Sequence, residues 1–161
     1  MLYMIIRFDL KKFVLSLLPP LLAGGLSALI TRGDMDLYKN INRPPLSPPG
    51  IVFPIVWTVL YILMGVSFYM ILVKRDIYAN KKTAFVWYFA SLFLNFIWSP
   101  VFFSARQYLL AFVILVFLYV TVAVTAFLFY KIDKPAGLLQ IPYIIWLTFA
   151  AYLNLGVFIL N

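Results

Sequence analysis

Charged residues in this chain gather in clusters, and the stretches between them are almost wholly apolar. Five such runs stand out, at residues 13–31, 44–73, 83–105, 107–130 and 135–161. The shortest holds 19 residues, and about 20 apolar residues carry a helix across the roughly 30 Å hydrocarbon core of a bilayer. Unbroken apolar runs predict helices, because barrel strands would alternate apolar and polar positions over about ten residues. The pattern therefore predicts an all-α membrane protein. It is read as one domain over residues 1–161, a five-transmembrane-helix bundle with helices near 13–31, 51–73, 83–105, 108–130 and 137–160.

Three of the four connections are short, which predicts consecutive helices as antiparallel neighbours in an up-down bundle. The first loop, residues 32–50, is different. It carries Pro44, Pro45, Pro48 and Pro49, and successive prolines cannot continue a helix. Loops of this length are usually functional. Leu37, Tyr38, Ile41 and Leu46 make this one too apolar for a solvated tether, so it is expected to act as a lid. Pro19, Pro20, Pro54, Pro100 and Pro142 fall within the apolar runs, where each is expected to remove a backbone hydrogen bond and kink its helix. In the first helix Ala23, Gly24, Gly25, Ser27 and Ala28 would let a neighbouring backbone come close, Gly24 and Ala28 forming a small-xxx-small pair.

Helical spacing then sorts the polar and aromatic side chains into faces. Asn95, Trp98, Ser99 and Phe102 share one stripe of the third helix, and Trp146, Phe149, Ala150, Leu153 and Asn154 one stripe of the fifth. An amide at membrane depth must face protein or a cavity, since lipid leaves its donors unpaired. Trp57 and Tyr61 pair on the second helix. Packing and interfacial anchoring explain many aromatics in such proteins, and Trp87, near a helix start, fits an interfacial belt.

Composition narrows the chemistry. The chain has no cysteine and no histidine, so zinc sites, thiol redox, a His-ligated haem and a His-based triad lose their usual groups; no metal site is expected. All five acidic residues, Asp9, Asp34, Asp36, Asp76 and Asp133, lie outside the apolar runs, which weighs against a proton-coupled transporter. The net charge of +8 is read as a topology signal and not as a nucleic-acid patch. Nine basic residues fall on one side, counting the N-terminus and the second and fourth loops, against four in the first and third loops. The N-terminus is therefore expected in the cytoplasm and the first loop outside.

Taken together, several motifs resemble the TspO/MBR family of tryptophan-rich sensory proteins, translocator proteins and peripheral-type benzodiazepine receptors. They are Leu37-Tyr38-Lys39-Asn40-Ile41-Asn42-Arg43-Pro44 with Ser47-Pro48-Pro49-Gly50, Phe53, Trp57 and Leu60-Tyr61; Leu94-Asn95-Phe96-Ile97-Trp98-Ser99-Pro100; and Ile141-Pro142-Tyr143-Ile144-Ile145-Trp146 with Phe149-Ala150 and Leu153-Asn154. The resemblance implies a five-helix bundle, commonly a homodimer, in a bacterial cell membrane, with a pocket closed by the first loop. It implies a receptor or sensor for porphyrins such as protoporphyrin IX and for drug-like isoquinoline or benzodiazepine ligands, with porphyrin as ligand and no cofactor required. The implied ligand-binding residues are Tyr38, Pro48, Phe53, Trp57, Tyr61, Asn95, Trp98, Ser99, Trp146, Phe149, Ala150 and Leu153. Some bacterial members are linked to light-dependent porphyrin breakdown, for which Trp57 and Trp146 would be the catalytic pair; a photo-oxidase is thus one alternative and a tetrapyrrole transporter another. Two departures matter. Leu46 replaces an aromatic in the loop, which predicts a looser lid, and no Lys or Arg follows Tyr152, which removes the sterol-recognition pattern of animal members.

Overall fold

The computed structural model describes residues 8–34, 37–74 and 80–161. Five long helices, each long and apolar enough to cross a membrane, dominate it: α1 (Leu10–Thr31), α3 (Val52–Val73), α4 (Lys81–Phe103), α5 (Tyr108–Ile132) and α7 (Ile141–Leu160). Two short helices were not legible in the pattern, α2 (Leu37–Asn40) in the first loop and α6 (Lys134–Leu138) ahead of α7. No strand occurs among the described residues. Arg7, Asp36, Arg75 and Asp76, counted in the charge pattern, lie outside the described residues, as does the Tyr38 side chain.

Caps set the helix starts. α1 begins ahead of its apolar run because the Asp9 carboxylate accepts the Lys12 backbone N–H at 3.1 Å. That bond holds the Asp9 carboxyl below its ordinary range against an opposing desolvation cost, with the Lys12 ammonium adding to the lowering. Asp9 in turn donates its backbone N–H to the Tyr69 hydroxyl of α3 at 3.0 Å. Asn80 caps α4 in the same way through the Thr83 N–H. Two of the five expected kinks are absent. Pro54 and Pro142 sit in the first turns of α3 and α7, where the missing N–H would have had no partner anyway. Pro19, Pro20 and Pro100 lie inside their helices.

The bundle keeps an apolar core but, unlike a soluble one, is apolar on its outer surface as well and gathers its uncharged polar side chains inside. Leu22, Leu26, Leu29, Phe117, Val120 and Phe127 face outward, while Ser16, Ser27, Ser67, Ser91, Asn95, Gln140 and Asn154 are buried, as expected where lipid replaces water. Within the bundle α1 packs on α3 and α4, α4 on α5, and α5 on α7. The α1–α3 seam depends on Gly65, where a Cβ would stand 2.9 Å from the Leu17 Cα. Consecutive helices α3 and α4 are neighbours, as their short connection predicts, but they meet through long side chains: Tyr88 donates to the Met64 carbonyl at 3.3 Å and Tyr61 to Asn95 Oδ1 at 2.8 Å. Their backbones stay apart, and bulky rings bridge the gap, Phe68 stacking on Tyr88 at 4.7 Å. The physical reason is side-chain size: α3 offers glycine to α1 but aromatic rings to α4.

α6 forms a corner under α3. Gln140 donates to the Ser67 hydroxyl at 2.9 Å, and Ser67 donates to the Ala136 carbonyl at 2.7 Å, so the break between α6 and α7 leaves neither buried group unpaired. At the other end of the bundle the second half of the first loop is strapped to the end of α7. The Asn42 backbone N–H donates to Asn161 Oδ1 at 3.0 Å, the Asn42 amide to the Leu160 carbonyl at 3.2 Å, and Asn161 Nδ2 returns a bond to the Asn42 carbonyl at 2.9 Å. Tyr152 adds a bond to the Pro45 carbonyl at 2.7 Å.

Candidate ligand-binding cavity

A cavity of about 810 Å³ lies between α1, α3, α4 and the first loop. Its walls can be followed helix by helix. From α1 come Leu21, Gly24, Gly25, Ser27, Ala28 and Thr31; from α3 come Phe53, Pro54, Trp57, Thr58 and Tyr61; from α4 come Asn95, Trp98, Ser99 and Phe103. Lys39, Arg43, Gly50 and Ile51 complete it on the loop side. Six of the twelve residues singled out in the sequence therefore line one space: Phe53, Trp57, Tyr61, Asn95, Trp98 and Ser99.

Trp57 is the centre of an aromatic cluster. It stacks on Tyr61 at 5.6 Å, stands 6.3 Å from Trp98, and meets Tyr143 and Trp146 edge-on at 6.0 and 6.5 Å. Such pairs are each worth about 0.5–1.5 kcal/mol beyond burial, so the indole is held from several sides. Trp146 belongs to this cluster but not to the cavity wall. It packs edge-on against Phe53 at 6.0 Å, and its indole N–H is buried without a hydrogen-bond partner among the described residues.

Buried amides fix the remaining geometry. Tyr61 donates to Asn95 Oδ1 at 2.8 Å, and Asn95 Nδ2 donates to the Tyr143 hydroxyl at 2.8 Å, a chain that ties α3, α4 and α7 together at mid-bundle. Trp98 donates its indole N–H to Asn154 Oδ1 at 3.0 Å, and Asn154 Nδ2 donates to the Tyr108 carbonyl at 2.8 Å. Asn154 thus holds the Trp98 ring against the cavity from α7.

The other residues singled out in the sequence stand elsewhere. Ala150 and Leu153 are buried on the inner side of α7, Phe149 packs between Trp146 and Tyr152, and Pro48 lies in the first loop. Of the apolar loop residues expected to pack, Ile41 does so against the core, whereas Leu46 does not. Leu46 takes the left-handed position of a turn closed by Ser47 N–H to Pro44 O, with φ of 65°, and is 82% exposed. Sequence reasoning missed the contribution of α1. Its small residues were legible as a close-contact stripe, and the signal for a cavity was Ser27 and Thr31 on the same side of an otherwise greasy helix. Among the described residues no cluster suited to holding a metal occurs.

The sequence profile of the TspO/MBR family matches residues 2–160. The chain is 36% identical over 126 residues to the tryptophan-rich sensory protein of Cereibacter sphaeroides, covering 78% of this chain and 77% of that protein. It is 37% identical over 139 residues to the translocator protein of Bos taurus, covering 84% and 81% respectively. With the tryptophan-rich protein TspO of Archaeoglobus fulgidus it shares 31% identity over 154 residues, covering 95% and 99%. Five membrane-length helices, the aromatic cluster around Trp57 and this match along nearly the whole chain agree: the protein belongs to the TspO/MBR family.

Proposed function

We propose that this membrane protein is a receptor for flat aromatic ligands of the porphyrin class, with isoquinoline- and benzodiazepine-type molecules as surrogates. The observation that carries this reading is the single indole, Trp57, held by four other rings at the edge of a cavity of about 810 Å³. That volume falls within the roughly 300–1,000 Å³ of small-molecule sites. The inner wall is aromatic, apolar or neutral polar, which suits a ring system that buries its faces. With no histidine or cysteine in the chain, binding needs no iron ligand, and porphyrin is the ligand of a protein without a cofactor. The charge asymmetry supports a cytoplasmic N-terminus and a cavity mouth on the opposite side.

Titration of protoporphyrin IX into protein held in lipid nanodiscs tests the reading, followed through the porphyrin absorption band. Saturable binding is expected, with haem and metal-free porphyrin alike within about threefold. Trp57→Ala is expected to weaken binding by about tenfold, the equivalent of 1.4 kcal/mol. Non-saturable partitioning indistinguishable from empty nanodiscs would overturn the proposal.

A further inference from the structure

A second open space lies on the outer face of the bundle, at its basic end, and shares no lining residue with the ligand cavity. It is a groove of about 590 Å³ lined by Lys82, Phe85, Val86 and Phe89, which recur along one stripe of α4. Phe68 of α3 backs it, meeting Phe85 and Phe89 edge-on at 5.1 and 5.6 Å. Val86 is 62% exposed and Phe89 45%, so the groove is apolar and open along its length beyond Lys82.

Depth and charge together restrict what can fill it. Seven residues separate Lys82 from Phe89, about 10 Å along the helix axis, which exceeds the roughly 5–8 Å of headgroup region on one side of a bilayer. An occupant must therefore be polar at Lys82 and hydrocarbon at Phe89. The described acidic residues of this end are already engaged, Asp9 with Lys12 and Asp133 with Lys74 at 2.6 Å. The Lys81 ammonium donates to the Lys74 carbonyl, and Lys131 lies over the Phe127 ring at 5.3 Å. Lys82 is exposed and pairs with neither acid among the described residues, so its complement is an anion from outside the chain. A second copy does not supply one. A two-fold dimer through this groove, with both copies inserted the same way, sets the patch on itself and Lys82 against Lys82.

We propose that the groove is a binding site for an anionic phospholipid, its headgroup phosphate paired with Lys82 and an acyl chain lying over Val86 and Phe89. Basic pockets between transmembrane helices recognise anionic headgroups in this way. A zwitterionic lipid of the same chains keeps the apolar contact but brings its own cation to Lys82. The site therefore selects phosphatidylglycerol over phosphatidylcholine, by about fivefold for the one lysine involved.

Native mass spectrometry of the detergent-solubilised protein tests this, with dioleoyl phosphatidylglycerol and dioleoyl phosphatidylcholine added in turn. The first phosphatidylglycerol should bind about fivefold more tightly than phosphatidylcholine, and Lys82→Gln should remove that preference. Lys134→Gln, at an exposed lysine of the same end outside the groove, should leave it intact. Val86→Trp keeps the charge but fills the groove, and should remove the preference as well. Equal affinities of the two lipids for the unaltered protein overturn the proposal. An equal loss from Lys82→Gln and Lys134→Gln overturns it too, since a diffuse basic surface gives that result. Competition by glycerol 1-phosphate, which carries the anion without the chains, would mark a free-phosphate site and overturn the lipid assignment. A dimer that Val86→Trp disrupts while the lipid preference persists would make the groove a protein interface instead.

Discussion

Trp98→Phe and Trp146→Phe remove the same atoms from two helices of one aromatic cluster, yet they should differ in cost. Each exchange deletes an indole's outer ring edge and its N–H. In Trp98 that N–H is bonded to Asn154 Oδ1 at 3.0 Å, and Asn154 is only 1% exposed. Phenylalanine there strands a buried carbonyl, which typically costs about 1–3 kcal/mol. In Trp146 the N–H is buried with no partner among the described residues, so phenylalanine removes an unsatisfied donor and the polar contribution changes sign. The loss of packing is larger at the buried Trp98 than at the half-buried Trp146, which widens the gap in the same direction. Membrane helices soften such differences, because interhelical hydrogen bonds there average about 0.6 kcal/mol. A net gap of about 1–2 kcal/mol in favour of Trp146→Phe is therefore expected.

For a chain of this size 1 kcal/mol corresponds to about 2–4 °C in Tm. Thermal unfolding of both variants in the same detergent, without ligand, should place Trp98→Phe roughly 4 °C below Trp146→Phe. An equal or larger loss for Trp146→Phe would refute the assignment of its N–H as unpaired. Adding ligand gives a second reading of the same atom. If a ligand acceptor reaches the Trp146 N–H, the ligand-induced rise in Tm should be smaller for Trp146→Phe than for the unaltered protein.

Three further outcomes follow from the packing. Gly24→Val should fold but bind porphyrin at least tenfold more weakly, because its Cβ would land 2.0 Å from the Tyr61 ring and drive that ring off Asn95; titration in nanodiscs checks it against Gly25→Ala, whose Cβ meets nothing within 4 Å among the described residues. Gly65→Ala should destabilise the bundle by about 1–3 kcal/mol, since the new methyl meets not only the Leu17 side chain at 2.6 Å, which can yield, but also the α1 backbone at the Leu17 Cα, 2.9 Å away, which cannot; Tm in detergent measures it. Acid should fray the first turn of α1. The Asp9 carboxyl is held below its ordinary value near 3.8 by the Lys12 N–H, so the cap's contribution is present above that value and is lost as pH falls through the lowered one; amide exchange at Lys12 compared at pH 6 and pH 3 should accelerate beyond its intrinsic change, and should not in Asp9→Asn.

Much of this architecture was legible because bilayer thickness fixes helix length and charge clusters mark the ends. The helix faces bearing Asn95 and Trp98 could be read from spacing, since an amide at membrane depth has few tolerable surroundings. What spacing could not give was how closely each pair of neighbouring helices packs. Loop length predicts adjacency, but the size of the side chains decides how near two backbones come, and here Phe68 and Tyr88 hold α3 off α4 while Gly65 draws α3 to α1. Nor could Pro142 be read as harmless, because that depends on where α7 starts. The start is set by Gln140 folding back to Ser67, a contact between residues 73 apart.

The position of the cavity follows from the same competition. A stripe of small residues would ordinarily let two helices close completely, as the α1–α3 seam does at Gly65. Higher up α1 two struts hold the helix at a fixed distance: the Tyr61 ring lies against Gly24, itself fixed by Asn95 and stacked on Trp57, and Ser27 donates to the Phe96 carbonyl of α4 at 3.1 Å. Beside these struts Gly25 and Ala28 also line the space. Small residues therefore do two jobs on one helix, contact where a ring or hydroxyl reaches them and vacancy where none does. A bulky residue at Gly25 or Ala28 would occupy the cavity without disturbing either strut, which makes these positions, and not the tryptophans, the cleanest places to separate loss of binding from loss of fold.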